Sequence, residues 1–201
     1  MAWRGGRGER LTARLQRDLE TLASAIRLPS SKPTSPALIA TVGLPATGKS
    51  HFARALAARL PLVVLESDAL RAVLFRKPRH GYKESRRLFQ AIHALADRLL
   101  RDGYLVLLDA TNLREDHRRD LKALAENAGS RLILVELTAP EGVVVQRLKG
   151  RELRHGEAGV EVYLRMRDEA DPILLEHRSV DTSRDITSAI DEIAGEFELN
   201  G

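Results

Sequence analysis

An α/β fold built on a parallel sheet is what this sequence predicts, and three observations carry the prediction. Short, β-branched apolar runs alternate with longer segments whose apolar residues fall at spacings of three and four, as strands and crossover helices do. The runs are apolar throughout rather than every second residue, which marks strands buried on both faces. The first run ends in a glycine-bearing turn that opens straight into a helix, Gly43-Leu44-Pro45-Ala46-Thr47-Gly48-Lys49-Ser50. A chain of 201 residues holds one such domain with a sizeable core and an appendage, but not two domains.

Composition narrows the class further. Hydrophobic residues make up 43% and charged residues 30%, and no apolar run approaches the length of a membrane span. The basic N-terminus, Met1 to Gly8, has no apolar stretch behind it, so it does not read as a secretory signal, and a cytoplasmic location is expected. The chain has no cysteine, which excludes disulfides and thiolate metal sites and agrees with a reducing compartment. Residues 1–32 carry seven Lys and Arg against three Asp and Glu, so the net charge of +4 lies in this first segment. Such an arm either attracts a polyanion or is simply solvated.

Residues 9–27 set Leu11, Leu15, Leu19, Leu22 and Ile26 on one stripe of an otherwise charged helix. The stripe packs on the domain or, as a short heptad-like seam, pairs with a second copy in a homodimer. Pro29, Pro33 and Pro36 among serines then read as a linker. The expected division is residues 1–36 as basic helix and linker, and 37–201 as the catalytic domain.

Residues 37–42 form the first strand, and the glycine turn follows. Gly43 and Gly48 allow backbone angles at which successive N–H groups converge on one anion, and the positive end of the next helix favours negative charge there. The cradle runs from Gly43 through Leu44, Pro45, Ala46, Thr47, Gly48, Lys49 and Ser50 to His51. Lys49 can reach the β- and γ-phosphates of ATP, and the Ser50 hydroxyl can join an Mg²⁺ shell.

Residues 62–65 form the second strand. Asp68 and Arg71 come just past its end, where open α/β sheets gather their ligands, although Ser67 or Asp68 is equally placed to cap a helix. Residues 76–87 hold six Lys and Arg against one acid, which suits the approach of a phosphate-bearing substrate or a solvated loop. Leu88, Ile92, Leu95, Ala96 and Leu99 mark a helix over 85–102, closed by Gly103. The third strand, 104–109, ends in Asp109, the position from which nucleotide enzymes hold Mg²⁺. Thr111 or Asn112 is placed to cap a helix over 114–127.

Residues 131–137 form the fourth strand, and Pro140 opens the next helix. Arg147, Arg151 and Arg154 recur at spacings of four and three, so they share one face if that helix continues. Arginines so placed can close over charge developing on a phosphoryl group, with Gly156 and Gly159 as hinge points, or can simply complement the helix end. A short fifth strand, 178–181, precedes a last amphipathic helix marked by Ile186, Ile190, Ile193, Ala194 and Phe197.

Together these residues resemble the P-loop kinases of the polynucleotide 5′-hydroxyl kinase type and the broad group of small bacterial ATP-binding kinases around them. The resemblance rests on the phosphate loop, Ser67-Asp68-x-x-Arg71, Asp109-Ala110-Thr111-Asn112, and Arg147-Leu148-x-x-Arg151, and it covers about residues 37–181. It implies a five-stranded parallel sheet with helices on both faces and an arginine-bearing lid at about 147–160. It also implies Asp68 as general base on the acceptor hydroxyl and Arg71 as ligand of an acceptor phosphate, with Arg147 and Arg151 contacting nucleotide and transferred phosphate. The expected function is ATP·Mg²⁺-dependent phosphoryl transfer to a hydroxyl, with the 5′ end of single-stranded nucleic acid as the acceptor best suited to the basic stretch. A sugar, nucleoside or antibiotic kinase and an ATP-dependent switch are the alternatives, because this fold hosts all three.

Overall fold

The chain is described by a computed structural model, which covers residues 12–32, 35–150 and 159–197. Five strands, β1 (Ala37–Val42), β2 (Leu62–Glu66), β3 (Leu105–Asp109), β4 (Arg131–Thr138) and β5 (Arg178–Asp181), form one parallel sheet in the order β2-β3-β1-β4-β5. The apolar runs are buried on both faces as their composition requires, and all six residues of β1 are buried.

Eight helices wrap the sheet among the described residues: α1 (Ala13–Ala25), α2 (Lys49–Ala57), α3 (Ser67–Leu74), α4 (Tyr82–Arg101), α5 (Glu115–Asn127), α6 (Glu141–Lys149), α7 (Val160–Asp168) and α8 (Thr187–Gly195). Leu38, Ala40, Val106 and Leu108 face the layer of α1, α3, α4 and α5, meeting Leu22, Leu70, Leu88, Ile92 and Leu121. Ile39, Leu107, Ile133 and Val135 face the opposite layer, meeting Phe52 and Leu56 of α2 and Ile190 and Ile193 of α8. The connection after β1 therefore leaves by one face, and the connection after its neighbour β3 by the other. The crevice of an open sheet lies at such a point, so it opens between the end of β1, Val42, and the end of β3, Asp109.

The apolar stripe of the first helix is used within the chain. Leu19 and Leu22 are buried, and Leu22 with Leu15, Ala23 and Ile26 joins the core beneath α3 and α4. Leu11 lies outside the described residues. α4 starts at Tyr82 rather than Ser85, because Gly81 serves as its N-cap and Glu84, three residues on, reaches back to the backbone before it. α5 starts at Glu115 behind Arg114 with no side-chain cap, so neither Thr111 nor Asn112 has the expected capping role. Ser67 and Asp68 likewise lie inside the first turn of α3 rather than capping it. α6 ends at Lys149, capped by Gly150, and Arg151 and Arg154 lie outside the described residues.

Candidate active site

The turn between β1 and α2 winds tightly because three residues take left-handed backbone angles: Gly43 (φ 153°), Ala46 (φ 62°) and Gly48 (φ 95°). A Cβ at Gly43 would stand 2.6 Å from the Leu137 carbonyl oxygen and 2.7 Å from Thr47 Oγ1, so no side chain fits. A Cβ at Gly48 would meet the Thr182 side chain at 2.8 to 3.0 Å. Within the turn, Thr47 Oγ1 and Lys49 Nζ both donate to the Leu44 carbonyl, at 2.9 and 2.8 Å. The positive end of α2 and the Lys49 ammonium thus meet above one concave backbone, which is suited to a polyphosphate.

Four anchors hold this loop from outside. The Gly43 N–H donates to the Thr111 carbonyl at 3.0 Å, and Asn112 Nδ2 donates to the Thr41 carbonyl at 2.8 Å. Thr182, directly after β5, donates from Oγ1 to the Thr47 carbonyl at 2.7 Å. Arg147, on α6, donates to Thr182 Oγ1 (2.9 Å), the Thr182 carbonyl (2.7 Å) and the Ala46 carbonyl (3.2 Å). Ala46 also packs with Val144, Leu148 and Tyr163, so α6 and α7 close against the flank of the loop.

Asn112 has a left-handed backbone (φ 46°), and its carbonyl accepts from Arg118 Nη1 at 2.9 Å. Arg118 is fully buried; it pairs with Glu115 (2.8 Å) and donates to the Asp171 and Pro172 carbonyls at 3.1 and 2.6 Å. All three nitrogens of this guanidinium donate, and together they fix the turn after β3.

Asp109 is buried at the end of β3, with Thr41 Oγ1 3.4 Å from its Oδ1. It shares a strand register and therefore a sheet face with Glu66, the face against which Phe52 and Leu56 of α2 pack. Burial pushes the Glu66 carboxyl up, and the charges of Asp109 and then Asp68 add to it. These carboxylates consequently share one local field. No group of three or more His, Cys, Asp or Glu among the described residues is shaped to enclose a metal ion. One buried carboxylate and one hydroxyl on the rim of a phosphate cradle nevertheless fit Mg²⁺, which keeps its waters and takes its remaining ligands from phosphate.

Asp68 is exposed in the first turn of α3, beside the crevice. Arg71, one turn on, is buried, and its Nη1 donates to Glu84 at 2.7 Å while Nη2 donates to Ser85 at 3.3 Å; its Nε has no partner among the described residues. Burial pushes the Glu84 carboxyl up, but the Arg79 N–H, the Arg71 guanidinium and the His80 N–H outweigh it and hold the group below its ordinary range. Glu84 thus ties Arg71, the 79–80 turn and α4 into one unit.

The structure brings Lys49, Ser50, Asp68 and Asp109 to the carboxyl end of the sheet around one crevice, with His51 exposed on the first turn of α2. It sets Arg147 against the loop backbone and Arg71 against Glu84, and Arg151 lies outside the described residues. Sequence reading missed Thr182, Arg118 and Glu84. Thr182 had a usable signal, a polar residue directly past a strand end. Glu84 had a weaker one, the third position after a helix cap. Arg118 had none, because nothing distinguishes it from Arg119 beside it.

The family model AAA_33, described as an AAA domain, matches residues 38–173. An L-seryl-tRNA(Sec) kinase of Methanococcus maripaludis is 29% identical over 112 residues, which cover 55% of this chain and 44% of that protein. The chain thus spans less than half the length of this curated relative. A protein from Chloroflexus aurantiacus inferred to be a kinase has the same fold with a TM-score of 0.68 at 23% identity, covering 82% of this chain and all of the other. The APS kinase CysC of Mycobacterium tuberculosis, solved with AMPPNP and APS, superposes with a TM-score of 0.63 at 18% identity, covering 81% of this chain and 98% of that one.

Proposed function

The chain belongs to the AAA_33 family of AAA domains, and on that premise we propose that it is a kinase that moves the γ-phosphoryl group of ATP to a hydroxyl on the 5′ end of a polynucleotide. The observation that carries this reading is the crevice itself, with an anion cradle on one bank and an exposed carboxylate, Asp68, on the other. A hydrolytic switch has no use for a carboxylate placed beside an acceptor path. The APS kinase complex with AMPPNP supports an ATP-type donor in this fold, and the seryl-tRNA kinase supports an acceptor carried on a nucleic acid.

In this mechanism the loop N–H groups and Lys49 hold the β- and γ-phosphates, which positions the donor and stabilises charge as it spreads over the phosphoryl oxygens. Asp68 accepts the acceptor hydroxyl proton as the new O–P bond forms and the bond from γ-phosphorus to the β-phosphate oxygen breaks. Ser50 and Asp109 would hold Mg²⁺, which would supply charge neutralisation at the phosphates. Arg71 would take the acceptor phosphate in exchange for its bonds to Glu84 and Ser85, Arg147 holds the loop through the Ala46 and Thr182 carbonyls, and Arg151 contacts the transferred phosphate.

The test is transfer of labelled γ-phosphate from ATP to a short 5′-hydroxyl oligonucleotide, run beside Lys49→Ala and Asp68→Asn. Transfer by the wild-type protein, lost in both variants with ATP binding retained in Asp68→Asn, is expected. Equal loss of ATP affinity in the two variants removes Asp68 from the general-base role. One observation favours a second reading. Arg71 is already engaged by Glu84, so a small acceptor without a phosphate, such as a sugar, needs no rearrangement there. Transfer to sugars but not to oligonucleotides would establish it.

A further inference from the structure

Resting on the reading of the acceptor as a nucleic-acid end, we propose that α1 is part of the acceptor surface. Its first turns join residues 76–83 in one basic strip that holds the phosphates of a single strand leading to Asp68.

The placement follows from two contacts at opposite ends of α4. Arg87, in the second turn of α4, donates from Nε and Nη2 to the Asp18 carboxylate at 2.7 and 2.6 Å. Lys32, beyond the end of α1, donates to the Asp102 carbonyl at the end of α4 at 2.6 Å and lies over the Tyr104 ring. The two helices therefore run side by side in the same direction. The end of α4 feeds β3, so its start lies at the carboxyl edge of the sheet, and the start of α1 lies there too. Arg87 also stacks on Phe75 at the end of α3, which locks α1, α3 and α4 together at this edge.

Arg14 stands one turn before Asp18, and Lys83 one turn before Arg87, so both project toward the edge where the 76–81 connection passes. Arg14, Arg17, Arg76, Lys77, Arg79 and Lys83 are all exposed. Asp18 and Glu84, the acids packed beneath these cations, are paired within the fold. Asp18 is committed to Arg87 and Glu84 to Arg71, and the hydrogen bond from Arg87 holds Asp18 ionised well below the usual carboxylate range, with Arg14 and Arg17 adding to it. The first turn of α1 contains no acid at all. Cations near a helix N-terminus oppose the helix dipole. A bound phosphate backbone relieves that conflict, because it meets the cations and the helix ends with the same charge.

The experiment is fluorescence anisotropy of a short labelled single strand bearing a 5′-hydroxyl, titrated with the full chain between about 50 and 200 mM salt. The wild-type protein is compared with R14E/R17E, with K77E/R79E, and with R98E at the far end of α4. Binding that weakens steeply with salt is expected. In each double variant the log–log slope should fall by about 0.7 for each phosphate that is no longer neutralised. R98E should bind like the wild type. R14Q/R17Q, checked by circular dichroism, repeats the test without charge reversal in case R14E/R17E misfolds. No binding by the wild type at the lowest salt, or an unchanged slope in both Arg14/Arg17 variants, overturns the proposal. A strand that binds through α1 yet receives no phosphate leaves the strip in place and removes the 5′-hydroxyl kinase reading. A strand phosphorylated equally well by the Arg14/Arg17 variants does the reverse.

Discussion

The phosphate loop and the turn from α3 to α4 face each other across the carboxyl ends of β1 and β2, and they are held by different kinds of force. The loop is fixed by short hydrogen bonds between groups that are mostly buried: Thr182 to Thr47, Arg147 to Ala46, Gly43 to Thr111 and Asn112 to Thr41. The opposite bank hangs on a few charge pairs, Arg71 with Glu84 and Arg87 with Asp18, at the edge of a surface of exposed cations. Buried hydrogen-bonded networks have one good arrangement, because any other leaves polar groups unpaired at a cost of about 1 to 3 kcal/mol each. Glu84 and Asp18 are largely buried in their pairs with Arg71 and Arg87, so removing either partner strands the other charge at a cost of about 3 to 5 kcal/mol. The loop bank is thus one hydrogen-bonded unit around a backbone turn, and the opposite bank is held at two side-chain ion pairs.

The largest test of this contrast is Arg118→Met. Removing the fully buried guanidinium strands Glu115 and the Asn112, Asp171 and Pro172 carbonyls together. Loss of about 3 to 5 kcal/mol in urea unfolding is expected. A cost under about 1 kcal/mol would mean that the donor bank is not a rigid network.

Gly43→Ala comes next. The added Cβ strikes the backbone of Leu137, and the strain of about 1 to 3 kcal/mol should appear as ATP affinity weakened roughly ten- to hundredfold in calorimetry. Affinity at the wild-type level would show that the loop can give way.

Thr182→Val removes one hydroxyl and leaves its shape, so a loss of about 1 to 3 kcal/mol is expected. ATP KM should rise while acceptor KM stays put, and Thr182→Ser should restore it. A rise in acceptor KM alone would place Thr182 on the wrong bank.

Glu84→Gln is expected to do the opposite, raising acceptor KM a few-fold with ATP KM unchanged, because Arg71 and the 79–80 turn lose their shared anchor.

A separate, pH-dependent effect concerns His93 on α4, beside Phe89 and His117. Burial and then the neighbouring His117 depress its pKa to about 4. The native state keeps this imidazole neutral while the unfolded chain takes up a proton below about 6.5. Stability is therefore complete above that pH and declines as pH falls toward 4. His93→Gln should flatten this part of the melting profile, and an unchanged slope would assign the decline to other groups.

Much of the fold and part of the site were legible from residues alone. The five strands and most of the helices follow from local periodicity and from punctuation by Gly and Pro. The phosphate loop follows from glycine spacing, and Asp68 and Asp109 from their place just past apolar runs. Helix starts were less legible, because α4 begins where Glu84 can satisfy backbone donors before it rather than where its apolar stripe begins.

Only the tertiary structure decided which arginine does what. Position in the sequence pointed to Arg71 and Arg147 but not to Arg87 or Arg118, yet each of the four is spent on a partner that no local pattern names: Glu84, Asp18 69 residues away, the Pro172 carbonyl 54 residues away, and Ala46 101 residues away. The link from Thr182 to Thr47 spans 135 residues. Periodicity reports how a segment meets its own axis, so it reveals strands, helices and their buried faces. A guanidinium instead takes whichever carboxylate or carbonyl the packed chain brings within 3 Å or so of it. That choice is made by the sheet order and the helix layers, and no single segment contains it.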